Sequence, residues 1–206
     1  MTQPVRQPVL TRLVPRTLEE EKIQIISQHF SSIMQTLGLD IQEECIRQTP
    51  ARVATMYVKE IFSGLDPARK PVMTLFPNTN GYNEMLVERE ITFFSCCEHH
   101  FVPFFGKAHV AYFPREHIVG LSKLNRLVQY LAKKPQVQER LTVEIGSAME
   151  QELKTADVAV VMEAQHLCIA SRGVKDCSSL TRTSYFGGKF NEREIRNEFL
   201  KQLPGG

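Results

Sequence analysis

Residues 86–113 read LVEREITFFSCCEHHFVPFFGKAHVAYF, and this stretch decides the fold. Residues 86–95 and 107–113 are rich in β-branched and aromatic side chains and roughly alternate between apolar and polar positions, which predicts two strands. Between them the alternation breaks at a group of adjacent cysteine and histidine residues. The stretch therefore predicts two strands with potential metal ligands in the segment between them.

The sequence on the C-terminal side of this stretch predicts two helices followed by two strands. Residues 122–133 and 137–153 show helical spacing of apolar residues and are separated by Lys134-Pro135. Residues 157–170 and 179–186 are β-prone, and a last helix is expected over 191–202. Strands and helices grouped in this order predict an α+β domain with an antiparallel sheet.

The N-terminal third has a different pattern, which predicts helices. Thr17 and Glu20 form a capping box at the start of an amphipathic helix, Asp40 and Glu43 predict a second short helix, and Thr49-Pro50 predicts the start of a third. We expect a flexible lead-in over 1–16, a helical region and linker over 17–84, and the main domain over 85–206. Residues 65–84 are rich in Pro, Gly and Asn, which favours a linker there.

Charge and composition exclude several classes of protein. The 206 residues carry 25 basic and 23 acidic side chains, a net charge of +2, which does not favour binding to nucleic acid or to an anionic membrane. No apolar run is long enough for a transmembrane helix, and the N-terminus lacks the apolar stretch of a signal peptide. Five cysteines favour thiols or metal thiolates over a disulfide framework, so we expect a cytoplasmic protein.

Two short segments together predict a zinc site. Cys97 and His100 are three residues apart where the first strand pattern ends, and His166 and Cys168 are two apart in a later predicted strand. Alternate side chains of a strand share a face, so His166 and Cys168 are expected to point the same way. Zinc binds cysteine and histidine, and a catalytic zinc usually has three protein ligands and one open position.

Other interpretations of these residues remain open. A single buried cysteine is usually a small apolar side chain, and a single histidine is more often structural than functional. Cys96 offers a further thiolate that would close a structural zinc site. Because neighbours in extended backbone point to opposite faces, we expect only one of Cys96 and Cys97 to bind, which favours catalytic zinc.

At these residues the chain resembles the GTP cyclohydrolase I family. The resemblance covers roughly 17–200 and is densest in Ser95–Phe101 (SCCEHHF) and Val119–Arg126 (VGLSKLNR), followed by Pro135–Leu141 (PQVQERL), His166–Cys168 (HLC) and Ser171–Gly173 (SRG). It implies a tunnelling fold, in which an antiparallel sheet carries two helices on one face. It also implies a homodecamer of two pentameric rings with active sites at subunit junctions.

The resemblance also implies roles for individual residues. Cys97, His100 and Cys168 match the zinc ligands, and His99 and His166 match the catalytic histidines. Glu139, with Gln138 beside it, matches the guanine-binding position, and the triphosphate-binding set is Ser122, Lys123, Arg126, Arg172 and Arg52. The implied reaction converts GTP and water into formate and 7,8-dihydroneopterin triphosphate, the first step of folate and pterin synthesis.

The substrate-binding residues have ordinary alternatives. Ser122 is a plausible N-cap at a phosphate-binding helix start, with Lys123 and Arg126 neighbours on one side of the helix, but a solvated cationic face has the same pattern. Glu139 suits guanine because a carboxylate accepts hydrogen bonds from both N1–H and the 2-amino group. Without the resemblance, an ordinary surface glutamate in the first turn of a helix would be the preferred interpretation.

Two rival functions remain open at this point. The first is a different enzyme on the same fold, such as a pterin synthase or a deazaguanine nitrile reductase with a cysteine nucleophile and NADPH. The second is a non-catalytic zinc protein whose four-coordinate metal only holds a subunit junction. His99 and Glu139, which such a structural site leaves unused, argue against the second.

Overall fold

The computed structural model describes residues 18–205, which divide into two compact units with the boundary between Val58 and Lys59. Thr17 and the predicted lead-in 1–16 lie outside the described residues. The boundaries predicted at 16/17 and 84/85 stay predictions.

The first unit is helical. Helix α1 covers Glu19–Thr36 and α2 covers Thr49–Met56, and the two helices pack against each other. Gly38, with φ of +84°, follows the end of α1, because a left-handed residue suits the end of a helix and glycine adopts it without strain. The short helix predicted at Asp40–Glu43 is wrong: residues 41–48 form turns, and the Asp40 carboxylate accepts a hydrogen bond from the Gln42 N–H instead.

The second unit is built on a five-stranded sheet. Its strands are β2 (Leu86–Cys97), β3 (Pro103–Tyr112), β5 (Pro135–Gln136), β6 (Val158–His166) and β7 (Thr181–Phe186). They lie in the order β5-β2-β3-β6-β7, antiparallel except for the short parallel pairing of β5 with β2. A separate pair joins β1 (Leu75–Pro77) to β4 (His117–Val119), so part of the predicted linker 65–84 pairs with the main domain.

Two helices cover one face of this sheet. Helix α3 covers Leu121–Ala132 and α4 covers Gln138–Leu153. Their apolar stripes pack with alternate residues of the strands into one core, whose helical members include Leu124, Leu127, Val128, Leu131, Leu141, Ile145 and Met149. These seven are among the eight side chains that the helical periodicity predicts to face inward, since residues three and four apart share one side of a helix. The eighth, Val137, lies at the N-cap of α4 and is only partly buried.

The opposite face of the sheet is partly covered by the C-terminal segment. Helix α6 covers Arg193–Lys201, and Phe190, Phe199 and Leu203 pack on Ala111, Ala159 and Val161 of the sheet. The α+β class and the antiparallel sheet with two helices on one face are therefore confirmed, in the arrangement of a tunnelling-fold domain. Among the described residues no helix is long and apolar enough to cross a membrane.

Candidate metal centre and active site

A tight turn at the end of β2 brings the first two metal-ligand candidates together. The Cys97 carbonyl accepts hydrogen bonds from the N–H groups of His100 and Phe101, at 3.4 and 2.8 Å, and the Cys97 N–H donates to the Val102 carbonyl. Phe101 closes the turn with φ of +54°, a conformation that costs energy for a non-glycine residue and that tends to occur at functional sites. This turn places the His100 ring beside the Cys97 side chain.

The third candidate comes from the far end of β6. Strand β6 ends at His166, and Leu167–Ala170 form one helical turn, α5, that carries Cys168. The expectation that His166 and Cys168 share a strand face is therefore wrong, because the backbone leaves the extended conformation between them. Cys168 nevertheless reaches the site: the ligand atoms of Cys97, His100 and Cys168 all lie within 4.8 Å of one another.

This ligand-atom cluster, the Cys97–His100–Cys168 triad, fits a zinc ion. Zn–S distances near 2.3 Å and Zn–N distances near 2.1 Å imply ligand atoms about 3.5–3.8 Å apart in a tetrahedral site. The Cys97 Sγ and His100 Nδ1 atoms are 3.9 Å apart, so small side-chain rotations suffice to reach that geometry. Burial and, secondarily, the nearby Cys97 thiolate raise the pKa of the Cys168 thiol, which a bound cation would counter.

Cys96 is directed elsewhere. Its side chain is 2% exposed, and the cluster of ligand atoms that could hold a metal contains Cys97 but not Cys96. Burial, followed by the charge of Cys97, raises the pKa of the Cys96 thiol to about 11. A thiol in this environment stays protonated at neutral pH, as expected of a buried cysteine that packs like an apolar residue.

His166 is held rigidly at the edge of the same region. Its ring stacks on Phe104, the directly opposite residue of β3, with centroids 4.7 Å apart and planes within 1° of parallel. Its Nε2 lies 2.8 Å from Gln138 Oε1. Burial lowers the pKa of His166, and the carboxylate of Glu139 opposes that shift, which places Glu139 within electrostatic range of the ring.

The Gln138 amide fixes which nitrogen of His166 carries a proton. Gln138 Nε2 faces the carbonyl oxygens of Thr181 and Met162, at 2.9 and 3.3 Å, and a carbonyl oxygen only accepts. The amide oxygen is therefore the atom that faces His166, and it too only accepts. The His166 Nε2 consequently carries the hydrogen, which leaves Nδ1 as the free nitrogen of the neutral ring.

His99 and Arg172 flank the triad. His99 Nδ1 is 3.9 Å from Cys97 Sγ, and the His99 ring is mostly exposed. An Arg172 guanidinium nitrogen lies 3.0 Å from His100 Nε2. Arg172 lies beyond both β6 and α5 in the chain and borders the site from there.

The other predicted substrate-binding residues lie on separate elements. Ser122, Lys123 and Arg126 lie on α3, and within residues 18–205 no hydrogen bond or ion pair joins their side chains to the triad. Ser122 is not the N-cap as predicted: α3 begins at Leu121 with Gly120 at the cap, so Ser122 is the second helical residue. Arg52 is an exposed residue of α2, in the first unit.

Sequence reasoning missed two residues that lie near the predicted catalytic histidines. Phe104 supports His166, and Arg140 binds the carboxylate of Glu98, the residue beside His99. Both lie inside conspicuous stretches of the sequence, but their partners are distant in the chain. Only the strand register and the docking of α4 identify them.

The family model for GTP cyclohydrolase I matches residues 26–204. This chain belongs to the GTP cyclohydrolase I family. It is 53% identical over 185 residues to GTP cyclohydrolase 1 of Flavobacterium johnsoniae, covering 90% of this chain and 83% of the relative.

Other similar proteins belong to the same enzyme family. GTP cyclohydrolase 1 of Actinobacillus pleuropneumoniae serotype 5b is 47% identical over 205 residues, covering 94% of each chain, and that of Haemophilus ducreyi is 49% identical over 179 residues, covering 86% and 82%. Among solved structures, the apo form of an archaeosine synthase QueF-Like protein matches 52% of this chain and 94% of its own, with 14% identity and a TM-score of 0.41. The sequence relatives establish the enzyme family.

Proposed function

We propose that this chain is a zinc-dependent enzyme that opens the imidazole ring of GTP, releases formate and yields 7,8-dihydroneopterin triphosphate, the first step of folate and pterin synthesis. The single observation that carries the proposal is the convergence of Cys97, His100 and Cys168 in a chain of the GTP cyclohydrolase I family. When bound there, zinc would lower the pKa of a coordinated water toward neutrality.

The burial of Cys96 away from the other ligand atoms supports an open fourth position. A structural zinc site needs a fourth ligand, and the nearest further thiol in the sequence is Cys96, which lies outside the cluster of ligand atoms. Three protein ligands and one position for water are typical of hydrolytic zinc enzymes. This favours chemistry over a purely structural metal.

The histidines would move the protons of the reaction. Addition of water at C8 of guanine places charge on N7, which an acid must neutralise, and later ribose rearrangement needs further proton transfers. Because Gln138 holds the Nε2 hydrogen of His166, proton exchange by His166 takes place at Nδ1. His99 is exposed beside Cys97 and is the second candidate.

Glu139 would recognise guanine, and the basic residues would bind the triphosphate. Glu139 is exposed at the first turn of α4 and within electrostatic range of His166, so its carboxylate is free to accept from N1–H and the 2-amino group. Gln138 was predicted beside it as a substrate residue, and its engaged amide favours an orienting role toward His166. The triphosphate set remains Ser122, Lys123, Arg126, Arg172 and Arg52.

Arg172 has a more specific role in this proposal. The guanidinium only donates, so its contact with His100 Nε2 requires Nδ1 to carry the ring hydrogen. Ligation through Nδ1, the nitrogen facing Cys97, requires the opposite tautomer, in which Nε2 is a donor. A metal held through Nδ1 would therefore break the contact between Arg172 and His100, and the guanidinium would then be available to a phosphate oxygen.

The assembly and location are proposed by family membership. We propose a homodecamer with active sites at subunit junctions, in the cytoplasm, with GTP as the small-molecule partner and no nucleic acid or membrane partner. Size-exclusion chromatography with light scattering tests the decamer, for which ten copies of the 23.5 kDa chain predict about 235 kDa.

The deciding experiment follows two products separately. Purified protein is incubated with GTP, and formate and the pterin chromophore are measured with and without a metal chelator, then after zinc is restored. Formate release that is lost with chelation and recovered with zinc is expected. Absence of formate from the zinc-loaded protein would refute the proposal, and NADPH oxidation with a deazaguanine nitrile would indicate the reductase alternative.

A further inference from the structure

Arg140 makes several polar contacts that the proposed reaction does not require. It lies in the first turn of α4, and its side chain is about one-fifth exposed. The guanidinium donates to Gln136 Oε1 at 2.8 Å, to the Pro135 carbonyl at 3.0 Å and to the Glu98 carboxylate through a close contact. The Arg140 Nε atom also lies 4.0 Å from the Glu144 carboxylate. A planar fork of donors with three hydrogen-bond partners fixes the orientation of the Arg140 side chain, which a single ion pair does not do.

Glu98 connects this arginine to the catalytic turn. One oxygen of its carboxylate meets Arg140, and the other lies 3.9 Å from His99 Nε2. Its backbone N–H donates to the Gln136 carbonyl at 3.0 Å. Glu98 is therefore tied to β5 by its main chain and to α4 by its side chain, while it faces a proposed catalytic histidine.

The elements joined in this way carry different parts of the proposed active site. Cys97 ends β2 and the turn that follows carries His99 and His100, whereas the start of α4 carries Gln138 and Glu139. Glu98 and Arg140 are 42 residues apart, so their contact is a tertiary link between metal binding and guanine recognition.

A purely structural ion pair is the competing explanation, and the chain offers one for comparison. Lys134 lies 3.5 Å from the Glu144 carboxylate, at a similar exposure, on the same side of α4. It contacts neither Glu98 nor His99 within the described residues, whereas Arg140 reaches Glu98 directly. Surface pairs of the Lys134 kind usually contribute little.

We propose that Arg140 is a positioning residue for the reaction: through Glu98 it holds the turn that carries His99 and His100 in a fixed position relative to the guanine-binding start of α4. This inference rests on the proposed function. Loss of the positioning contact is expected to lower turnover about 10–100-fold, the range typical of residues that orient the primary ligands of a metal site.

The test is a double-mutant cycle on the full-length, zinc-loaded protein. Arg140→Gln, Glu98→Gln and the double variant are compared for kcat and KM with GTP, with zinc content and melting temperature measured in parallel. Lys134→Gln is the matched control, since it also removes one cation from a carboxylate on this side of α4. Arg140→Lys keeps the charge but cannot donate to three partners at once.

The expected result is a loss in kcat with KM changed less than about threefold and with zinc retained. Because Arg140 acts through Glu98, the double variant should lose no more than the more impaired single variant. Arg140→Lys should recover part of the loss, and Lys134→Gln should stay within about twofold of wild type. Should Arg140→Gln fold poorly, the kcat of Arg140→Lys and Glu98→Gln decides the question.

Two results overturn the inference, and they are distinguishable from failure of the proposed function. If the wild type is active and Arg140→Gln keeps kcat within twofold of it, the positioning role is refuted while the proposed function stands. Losses that multiply in the double variant show that the two residues act independently, which also removes it. A zinc-loaded wild type that releases no formate refutes the proposed function, and the inference falls with it.

Discussion

The most informative single change is Gln138→Leu, which removes the contact that orients His166. The substitution keeps a side chain of similar size in a position that is 1% exposed, so packing changes little. It removes the acceptor of the His166 Nε2 hydrogen and the donor to the carbonyls of Thr181 and Met162. Thr183, a further partner, keeps its hydrogen bond to Thr142.

The magnitude follows from these contacts. An orphaned, partly buried N–H costs about 1–3 kcal/mol, and each carbonyl that loses a donor adds about 0.5–1.5 kcal/mol. Burial of the leucine methyl groups offsets part of this loss, which leaves a net destabilisation of about 2 kcal/mol. For a chain of this length that corresponds to a melting temperature lower by about 4–8 °C.

The effect on catalysis should be larger than the effect on stability. Without Gln138 the imidazole no longer has a fixed tautomer, so Nδ1 is not reliably the free nitrogen. Turnover is expected to fall about 100-fold, at the lower end of what positioned acid–base groups contribute. Formate release gives kcat, calorimetry gives the melting temperature, and nitrogen NMR of the histidine rings reports the tautomer directly.

Thr183→Val is the matched control, because it removes a different partner of Gln138 and leaves the contact with His166 in place. We expect it to lower stability by about 1 kcal/mol and to leave kcat within about threefold. A Gln138→Leu protein that is destabilised yet turns over within threefold of wild type would refute the assignment of the His166 tautomer to Gln138.

Three further predictions test the metal site, the sheet and a buried histidine. Cys168→Ser should weaken zinc binding at least about tenfold, seen as metal content after dialysis, and retention of one zinc per chain would contradict the triad. Gly106→Ala should lower the free energy of unfolding by about 3 kcal/mol or more, because the new Cβ would lie 1.8 Å from the Glu163 carbonyl oxygen. Gly120→Ala is the control, since a Cβ there would make only ordinary contacts. Equal melting temperatures for the two variants would contradict this prediction. Burial lowers the pKa of His109 despite nearby carboxylates, so the unfolded chain binds a proton there more readily than the folded chain does. Stability should therefore fall as the pH drops below about 6.5. His109→Asn should reduce this fall when the free energy of unfolding is measured from pH 7.5 to 5, and an unchanged pH dependence would count against the prediction.

Much of the fold was predictable because its signals are local. The apolar stripes of α3 and α4 and the alternation of β2 and β3 depend only on residues a few positions apart, and all four elements form close to where they were expected. The prediction at Asp40–Glu43 failed because a capping signal alone, without an apolar stripe to bury, does not sustain a helix. The end of β6 at His166 was missed because the following turn is imposed by tertiary packing.

The candidate site likewise has a part that local sequence predicts and a part that depends on tertiary packing. Cys97 and His100 could be paired from the sequence because they are only three residues apart. Residue chemistry also offered His166 and Cys168 as partners, and the family resemblance selected Cys168. The support of His166 by Phe104, by contrast, depends on the register between β3 and β6, and no spacing along the chain reveals a register. The contacts of Gln138 and Arg140 depend on how the start of α4 docks beside the sheet.

The sequence by itself determined the secondary-structure order, the apolar faces and the two short segments that carry the candidate metal ligands, since each of these is set by side-chain chemistry over a few consecutive positions. The tertiary structure alone decided that Cys96 is buried outside the ligand cluster, that His166 keeps its hydrogen on Nε2, and that Arg140 meets Glu98. These depend on groups 28 to 42 residues apart, or on burial, and only a packed sheet and helix bring such groups within hydrogen-bonding distance.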